Sequence, residues 1–261
     1  MHAPLARPAG RALTVALPLL LAGACATARP ASAPIASSRL GIAKATGTVA
    51  PGRVQLEAGY SRGHQDGRTR ELFGETLVRV GVGPRTEGRI GLSSYQRTVT
   101  PAATVTGLGD ASVSVKHRLR DAAHGLPAVA VLLGTTVPTG AEKVSAGELQ
   151  PEGALMTEWR LPAGFRALGT ASFRDAVAAG DRYGLTTLAA GARRSLGDHV
   201  TGQLEYAQVR STRAGAADAH HLRAGAMLRI TPTLQLDAWA GRATTRGVHE
   251  HLFGLGFARR W

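Results

Sequence analysis

From residue 53 onward, apolar and polar side chains alternate at period two in run after run, and the charges keep to one side of that alternation. Val54, Leu56, Ala58 and Tyr60 oppose Gln55, Glu57, Gly59 and Ser61. Thr76, Val78, Val80 and Val82 oppose Glu75, Leu77, Arg79 and Gly81, and Leu222, Ala224, Ala226, Leu228 and Ile230 oppose His221, Arg223, Gly225, Met227 and Arg229. Successive residues of a strand point to opposite faces, so this pattern predicts strands with one face in an apolar medium and one in a polar medium. The runs reach the roughly 9–11 residues of a tilted membrane-crossing strand. No stretch beyond the N-terminal leader approaches the ~20 apolar residues of a transmembrane helix.

Breaks at Gly, Pro and Asp clusters divide 53–261 into twelve strands, starting near Arg53, Glu75, Glu87, Asp110, Ala128, Gly153, Phe165, Tyr183, His199, His220, Leu234 and Val248. Short turns are expected at 83–86, 162–164, 195–198 and 231–233, with 120–127 longer than its place in the series predicts. Longer polar loops are expected around 63–74, 98–109, 141–152, 174–182, 211–219 and 243–247. Even strand number with short turns at one end and long loops at the other is the pattern of an outer-membrane barrel. The fold class predicted is therefore all-β: a transmembrane antiparallel up-and-down β-barrel of about twelve strands, both termini periplasmic.

The charges decide between a membrane barrel and a soluble sandwich. Arg53, Glu57, Glu75, Arg79, Arg89, Asp110, Lys116, Arg118, Glu158, Arg160, Arg166, Glu205, Arg223, Arg229 and Asp237 all fall on the face opposite the apolar one. A sandwich core would need the apolar face to be rich in Ile, Leu and Phe, whereas here Val, Ala, Leu and Gly dominate. That composition suffices against acyl chains, and the charged face then lines a wet lumen. Nine cations against six carboxylates on that face predict a mild anion preference if the pore is open. Either the lumen-lining set governs selectivity or its members pair into an ion-pair network; a lumen plugged by 29–52 is a further option.

The N-terminus reads as an export signal. Arg7 and Arg11 precede an uncharged run, ALTVALPLLLA over 12–22, too short to span a bilayer as a helix. Small residues then offer two cleavages. Ala-x-Ala patterns end at Ala26 or Ala28, giving a signal peptide of 1–28. Alternatively Leu21-Ala22-Gly23-Ala24-Cys25 resembles a lipobox, giving a signal of 1–24 and lipidation at Cys25. Cys25 is the sole cysteine, so the folded part carries neither a disulfide framework nor a cysteine metal site. Residues 29–52, rich in Ala, Pro and Ser, read as a tether or a disordered N-terminus, leaving 53–261 as the barrel. The barrel part holds 26 Lys/Arg against 18 Asp/Glu. These cations are spread along the chain and form no arm or helix face, which argues against nucleic acid as a partner. Outer-membrane lipid, the barrel-assembly machinery and an unidentified small solute are the expected partners, with localisation to the outer membrane of a Gram-negative bacterium after signal-directed export.

The last strand supports this reading. Phe253, Leu255, Phe257 and Trp261 share one face and the chain ends on an aromatic residue, as outer-membrane barrels commonly do. Aromatics are only 5% of the chain, so the interfacial belts are thin: Tyr60, Trp159, Tyr206, Phe257 and Trp261 are the candidates.

Two short motifs stand out. Gly107-Leu108-Gly109-Asp110 leads into ASVSVKHRL, and Thr136-Val137-Pro138-Thr139-Gly140 closes the following strand; LVRVGVGPRTEGRIGLS (77–93) is a strand, tight turn and strand. This combination resembles the outer-membrane family labelled putative MetA-pathway of phenol degradation, often called transporter-like, over roughly 54–261. The resemblance implies a small barrel that passes or binds small molecules, aromatic ones included. From the residues alone, both motifs are turn chemistry at strand ends.

No cofactor or metal is expected. His220-His221 and His249-x-His251 are the metal-ligand candidates, the second pair with the two-residue spacing of a shared strand face, but neither has a clear carboxylate partner. A barrel lipid hydrolase needs Ser, His and an orienting polar group on the outer face, and no serine matches His117 there. The expected function is a passive channel or uptake barrel. A non-conducting structural or binding barrel with a salt-bridged lumen is the alternative, and a barrel enzyme the third.

Overall fold

A computed structural model describes residues 34–261; the leader and Cys25 lie outside the described residues. The chain forms β1 (Val54–Gln65), β2 (Arg68–Gly83), β3 (Thr86–Gly91), β4 (Tyr95–Val99), β5 (Thr104–Leu108), β6 (Ala111–Arg120), β7 (Ala128–Val137), β8 (Gln150–Arg160), β9 (Phe165–Ala178), β10 (Asp181–Ser195), β11 (Val200–Ser211), β12 (Ala219–Thr231), β13 (Leu234–Thr245) and β14 (Val248–Arg260). All neighbours pair antiparallel in one sheet, and β1 pairs with both β2 and β14, which closes it. The seam runs from Gln55↔Arg260 to His64↔His251. Val54 and Trp261 extend it, the Trp261 amide donating to the Val54 carbonyl at 2.9 Å.

The fourteen segments are twelve barrel strands. β3 and β4 both lie along the long β2, separated by a break at 92–94. β5 and β6 continue one another across Gly109-Asp110. Backbone bonds carry the ladder over the break, from the Leu92 amide to Thr76 O (2.9 Å) and from the Gly109 amide to Ser94 O (2.8 Å). The expected twelve strands and the all-β closed barrel are thus present.

The side-chain distribution is that of a protein turned inside out for lipid. Leu133, Leu188, Leu204, Leu222 and Leu255 are exposed on the outer wall, while Glu57 and Glu87 are wholly buried within. Strand closure satisfies the backbone of the described strands on both sides, except along the short β5, which pairs only with β4.

The loops differ from expectation. Strands continue through 63–74, 174–182 and 243–247, so β2 begins at Arg68 rather than near Glu75. These hairpins close on two-residue turns, Asp66-Gly67, Ala179-Gly180 and Arg246-Gly247, with φ positive at both residues of each. That is the type I′ geometry whose twist matches paired strands, and Asp-Gly is its sequence signature. Within 98–109 β4 and β5 take up all but 100–103 and Gly109. At this end, opposite the turns, only 138–149 and 212–218 exceed four residues. At the turn end, 121–127 is the longest connection. The length asymmetry that sequence predicts is therefore weak, because the polar segments pair instead of looping.

An arginine placed mid-strand on the outer wall tests the lipid-facing assignment. Leu204→Arg is expected to cost about 2–4 kcal/mol in bilayer unfolding equilibria. A change near zero would mean that Leu204 does not meet lipid.

Candidate functional site

The lumen is occupied by the chain's own N-terminal segment. Residues 34–52, read from sequence as tether or disordered end, enter at the turn end, where the Ile35 amide donates to Pro232 O at 3.0 Å. They rise into the barrel and return to the same end, where the Gly52 amide donates to Gly81 O at 2.8 Å. Ile35, Leu40, Ala43 and Val49 are buried along this path. Ala43, with Ile42 and Ala45 beside it, packs on Leu168, Ala189 and Ala207 of the inner wall.

An extended segment without a strand partner must find acceptors for its amides. Here wall carboxylates supply them. Glu205 accepts from the amides of Ile42 (2.8 Å) and Ala43 (2.9 Å), and from Gln203 Nε2 (3.0 Å). Glu57 takes the Ser38 amide (2.8 Å), Glu158 the Thr46 amide (3.1 Å) and Glu87 the Val49 amide (2.7 Å). The Thr170 hydroxyl accepts from the Lys44 amide at 2.9 Å. Hydrogen bonds to an ionised acceptor contribute about 1.5–3 kcal/mol each, enough in sum to hold a short segment against its ordering entropy.

Cations complete the arrangement. Arg79 bridges Glu57 (2.9 Å) and Glu87 (2.8 Å), and Arg89 joins Glu87 at 2.8 Å. Arg39 of the plug reaches Glu75 Oε2 at 3.1 Å and sits 3.8 Å from Asp237. Glu75 stands at a bulge opposite Ala58, with positive φ. Lys116 donates to the carbonyls of Ala45 (2.6 Å) and Gly47 (2.8 Å). Lys44 folds back onto Ser38 O (3.0 Å) and Gly41 O (2.6 Å), tying the plug to itself, and burial, with Arg89 adding, pulls its pKa down to about 8. Wall glycines leave room for the plug: a Cβ at Gly225 would lie 2.8 Å from Leu40, and one at Gly81 would collide with Ala50 O.

The other sequence-predicted lumen residues divide by depth. Arg166 pairs with Glu158 at 2.9 Å and Arg118 with Asp121 at 3.2 Å. Arg223 lies over the Trp239 ring, 4.3 Å from its centroid. Arg229 donates to Asp198 O, and Arg160 opens onto a cavity beside the plug. Arg53 sits where the plug joins β1, its carbonyl accepting from the Gly81 amide at 3.0 Å. Arg79, Arg118 and Arg229 therefore belong to separate contacts, not to one network. Sequence reading missed Glu87, Arg39, Arg193 and Gln203. Glu87 and Arg89 share a face two residues apart, a signal that was available.

Asp110 brings the two motifs together. Its carboxylate accepts from the amides of Gly140 and Ala146, both at 2.9 Å, and Thr139 Oγ1 accepts from the Ala111 amide at 2.9 Å. The glycine-aspartate and proline-threonine-glycine motifs are one latch that pins loop 138–149 to the β5–β6 junction. Local turn chemistry accounts for neither motif alone.

On the outer wall Tyr60 packs at a tilt against Phe73 and Phe253, with centroids 5.0 and 5.8 Å apart, and Phe73 continues to Tyr95 at 6.1 Å. Tyr206 bonds His220 Nδ1 at 2.7 Å. Trp159, Phe257 and Trp261 are exposed there. His117 bonds Thr86 Oγ1 at 2.8 Å, and His64 faces His251 across the seam. Among the described residues no group of three or more His, Asp or Glu is placed to hold a metal.

The family model described as Putative MetA-pathway of phenol degradation matches residues 37–261, plug and barrel together. The chain belongs to that family. Among solved structures this family member is similar to an outer-membrane channel from Pseudomonas putida F1, with TM-score 0.63 and 13% identity over 83% of this chain and 97% of that one. It is also similar to the NanC porin (TM-score 0.55, 9% identity, 79% and 98% covered). The KdgM porin, solved in complex with disordered oligogalacturonate, gives a TM-score of 0.54 at 8% identity, with 78% and 98% covered. At these identities the likeness concerns the fold, which is that of outer-membrane channels. No curated protein matches the chain.

Removing the strongest plug contact should loosen the segment. With Cys25 replaced by Ser and a reporter at Ala43→Cys, Glu205→Ala is expected to raise the rate of labelling by a water-soluble maleimide by about tenfold or more, from the loss of two charge-assisted bonds. Equal rates would show that Glu205 does not hold the segment.

Proposed function

We propose that the protein is a passive outer-membrane channel for small molecules, closed at rest by residues 34–52. One observation carries this: what fills the polar lumen is a thin segment of small residues, held by hydrogen bonds to wall carboxylates. A core packed from the wall side chains themselves could not be withdrawn, whereas such a segment exchanges its bonds for water at modest cost. It enters and leaves at one end, so it can retract without threading the barrel. The family description favours a small aromatic solute from phenol breakdown. On this reading the leader directs export, the turn end and both termini face the periplasm, and the barrel sits in the outer membrane of a Gram-negative bacterium.

The Arg79 bridge between two wholly buried carboxylates favours a second reading, a non-conducting binding barrel. Conductance separates the two. In planar bilayers the intact chain should give rare, small steps, and a variant lacking 37–50 should give steady current several-fold larger. Glu158→Gln with Glu205→Gln should lie between them. If all three are silent while each shows the heat-modifiable gel shift of a folded barrel, the binding-barrel reading replaces the channel.

A further inference from the structure

We propose that the cavity between the plug and the turn-end wall, lined in part by the arginines of β8, β9 and β10, is a binding site for small oxyanions carrying at least two negative groups. The cavity measures about 450 Å³, within the range of small-molecule sites. Nine of its lining side chains are Arg or Lys, and none is Asp or Glu.

The register makes this charge concentration costly. Arg160 of β8 stands directly opposite Arg166 of β9, which stands directly opposite Arg193 of β10. Like charges directly opposite across a sheet destabilise it. Among the described residues only Arg166 of the three pairs with a carboxylate, Glu158. Arg193 spends its guanidinium on the neutral Gln203, at 3.0 and 2.6 Å, and among the described residues neither Arg160 nor Arg229 forms an ion pair.

At the opposite end of the barrel several arginines are matched to acids. Arg97 pairs with Glu71, Arg174 with Glu152, and Arg182 with Glu148 and Asp175, all at the far end. The turn-end cavity is different because the nearby carboxylates are already engaged. Glu57, Glu87 and Glu158 accept plug amides and bridge to Arg79 or Arg166. Among the described residues the row therefore has one carboxylate, Glu158, for three guanidinium groups.

A guanidinium offers a planar fork that matches carboxylate or phosphate oxygens in pairs. Adjacent strands lie about 4.8 Å apart, so the three forks span about 10 Å and suit two or three anionic groups on one small molecule. Carboxylate and phosphate share this chemistry. The inference rests on the channel reading only for its use in transport, where it narrows the small aromatic solute to one carrying such anionic groups; the site itself exists whether or not current flows.

The test is calorimetric titration of the folded full chain in non-ionic detergent, with citrate in one arm and inorganic pyrophosphate in the other. Saturable one-to-one binding is expected in at least one arm, weakened about tenfold or more between about 50 and about 500 mM salt. Arg160→Gln with Arg193→Gln should weaken it about tenfold or more, and Arg160→Lys with Arg193→Lys, which keeps charge but loses the forks, by less. Arg174→Gln with Arg182→Gln at the far end should leave it unchanged. The tighter arm identifies the oxyanion. Absence of saturable binding in both arms, or equal binding by the Gln double variant while its gel shift reports a folded barrel, overturns the proposal. Binding without bilayer current would retain the site and remove the channel.

Discussion

The structure depends on an exchange between buried carboxylates and unpaired amides. A closed barrel satisfies every strand amide, and alternation then forces half of its side chains, charges included, into the lumen. Glu57, Glu87, Glu158 and Glu205 are buried there and need donors. Residues 34–52, extended and without a strand partner, bring amides that need acceptors. Each deficit meets the other, and the arginines that remain, Arg79 and Arg89 foremost, neutralise the carboxylates from behind.

Twelve strands were legible because lipid enforces the alternation: wherever the outer wall meets acyl chains, polar residues can occupy only every second position. Beyond the bilayer that rule lapses. Arg68 to Glu71 carry three charges in four residues on a continuous strand, and nothing in their pattern distinguishes them from a loop. The turn residues did distinguish them. Asp66-Gly67 is a hairpin signal, and giving it weight would have extended β1 and β2.

The site was half legible for a related reason. Parity alone assigned Glu57, Glu158, Glu205 and Asp237 to the inner face, because side-chain direction is a local property. Their partners are not local. Ile42 and Glu205 are 163 residues apart, and Ser38 and Glu57 are 19 apart with no periodicity between them. A segment of small residues without alternation looks like a linker when its acceptors lie on a wall that the chain has yet to build. The latch at Asp110 shows the same limit: its two motifs, some 30 residues apart, looked like separate turns until the fold joined them.

The lumen is therefore best understood as an occupied one, with a cationic space left beside the occupant at the turn end. Whether residues 34–52 hold this position in a membrane is the point on which the rest turns, and amide hydrogen exchange of the barrel in lipid reads it directly. The amides of Ile42, Ala43, Thr46 and Val49 are expected to exchange slowly, like those of the strands, although they belong to no strand. Exchange of all four at the rate of an unstructured chain, with the strands still protected, would contradict this.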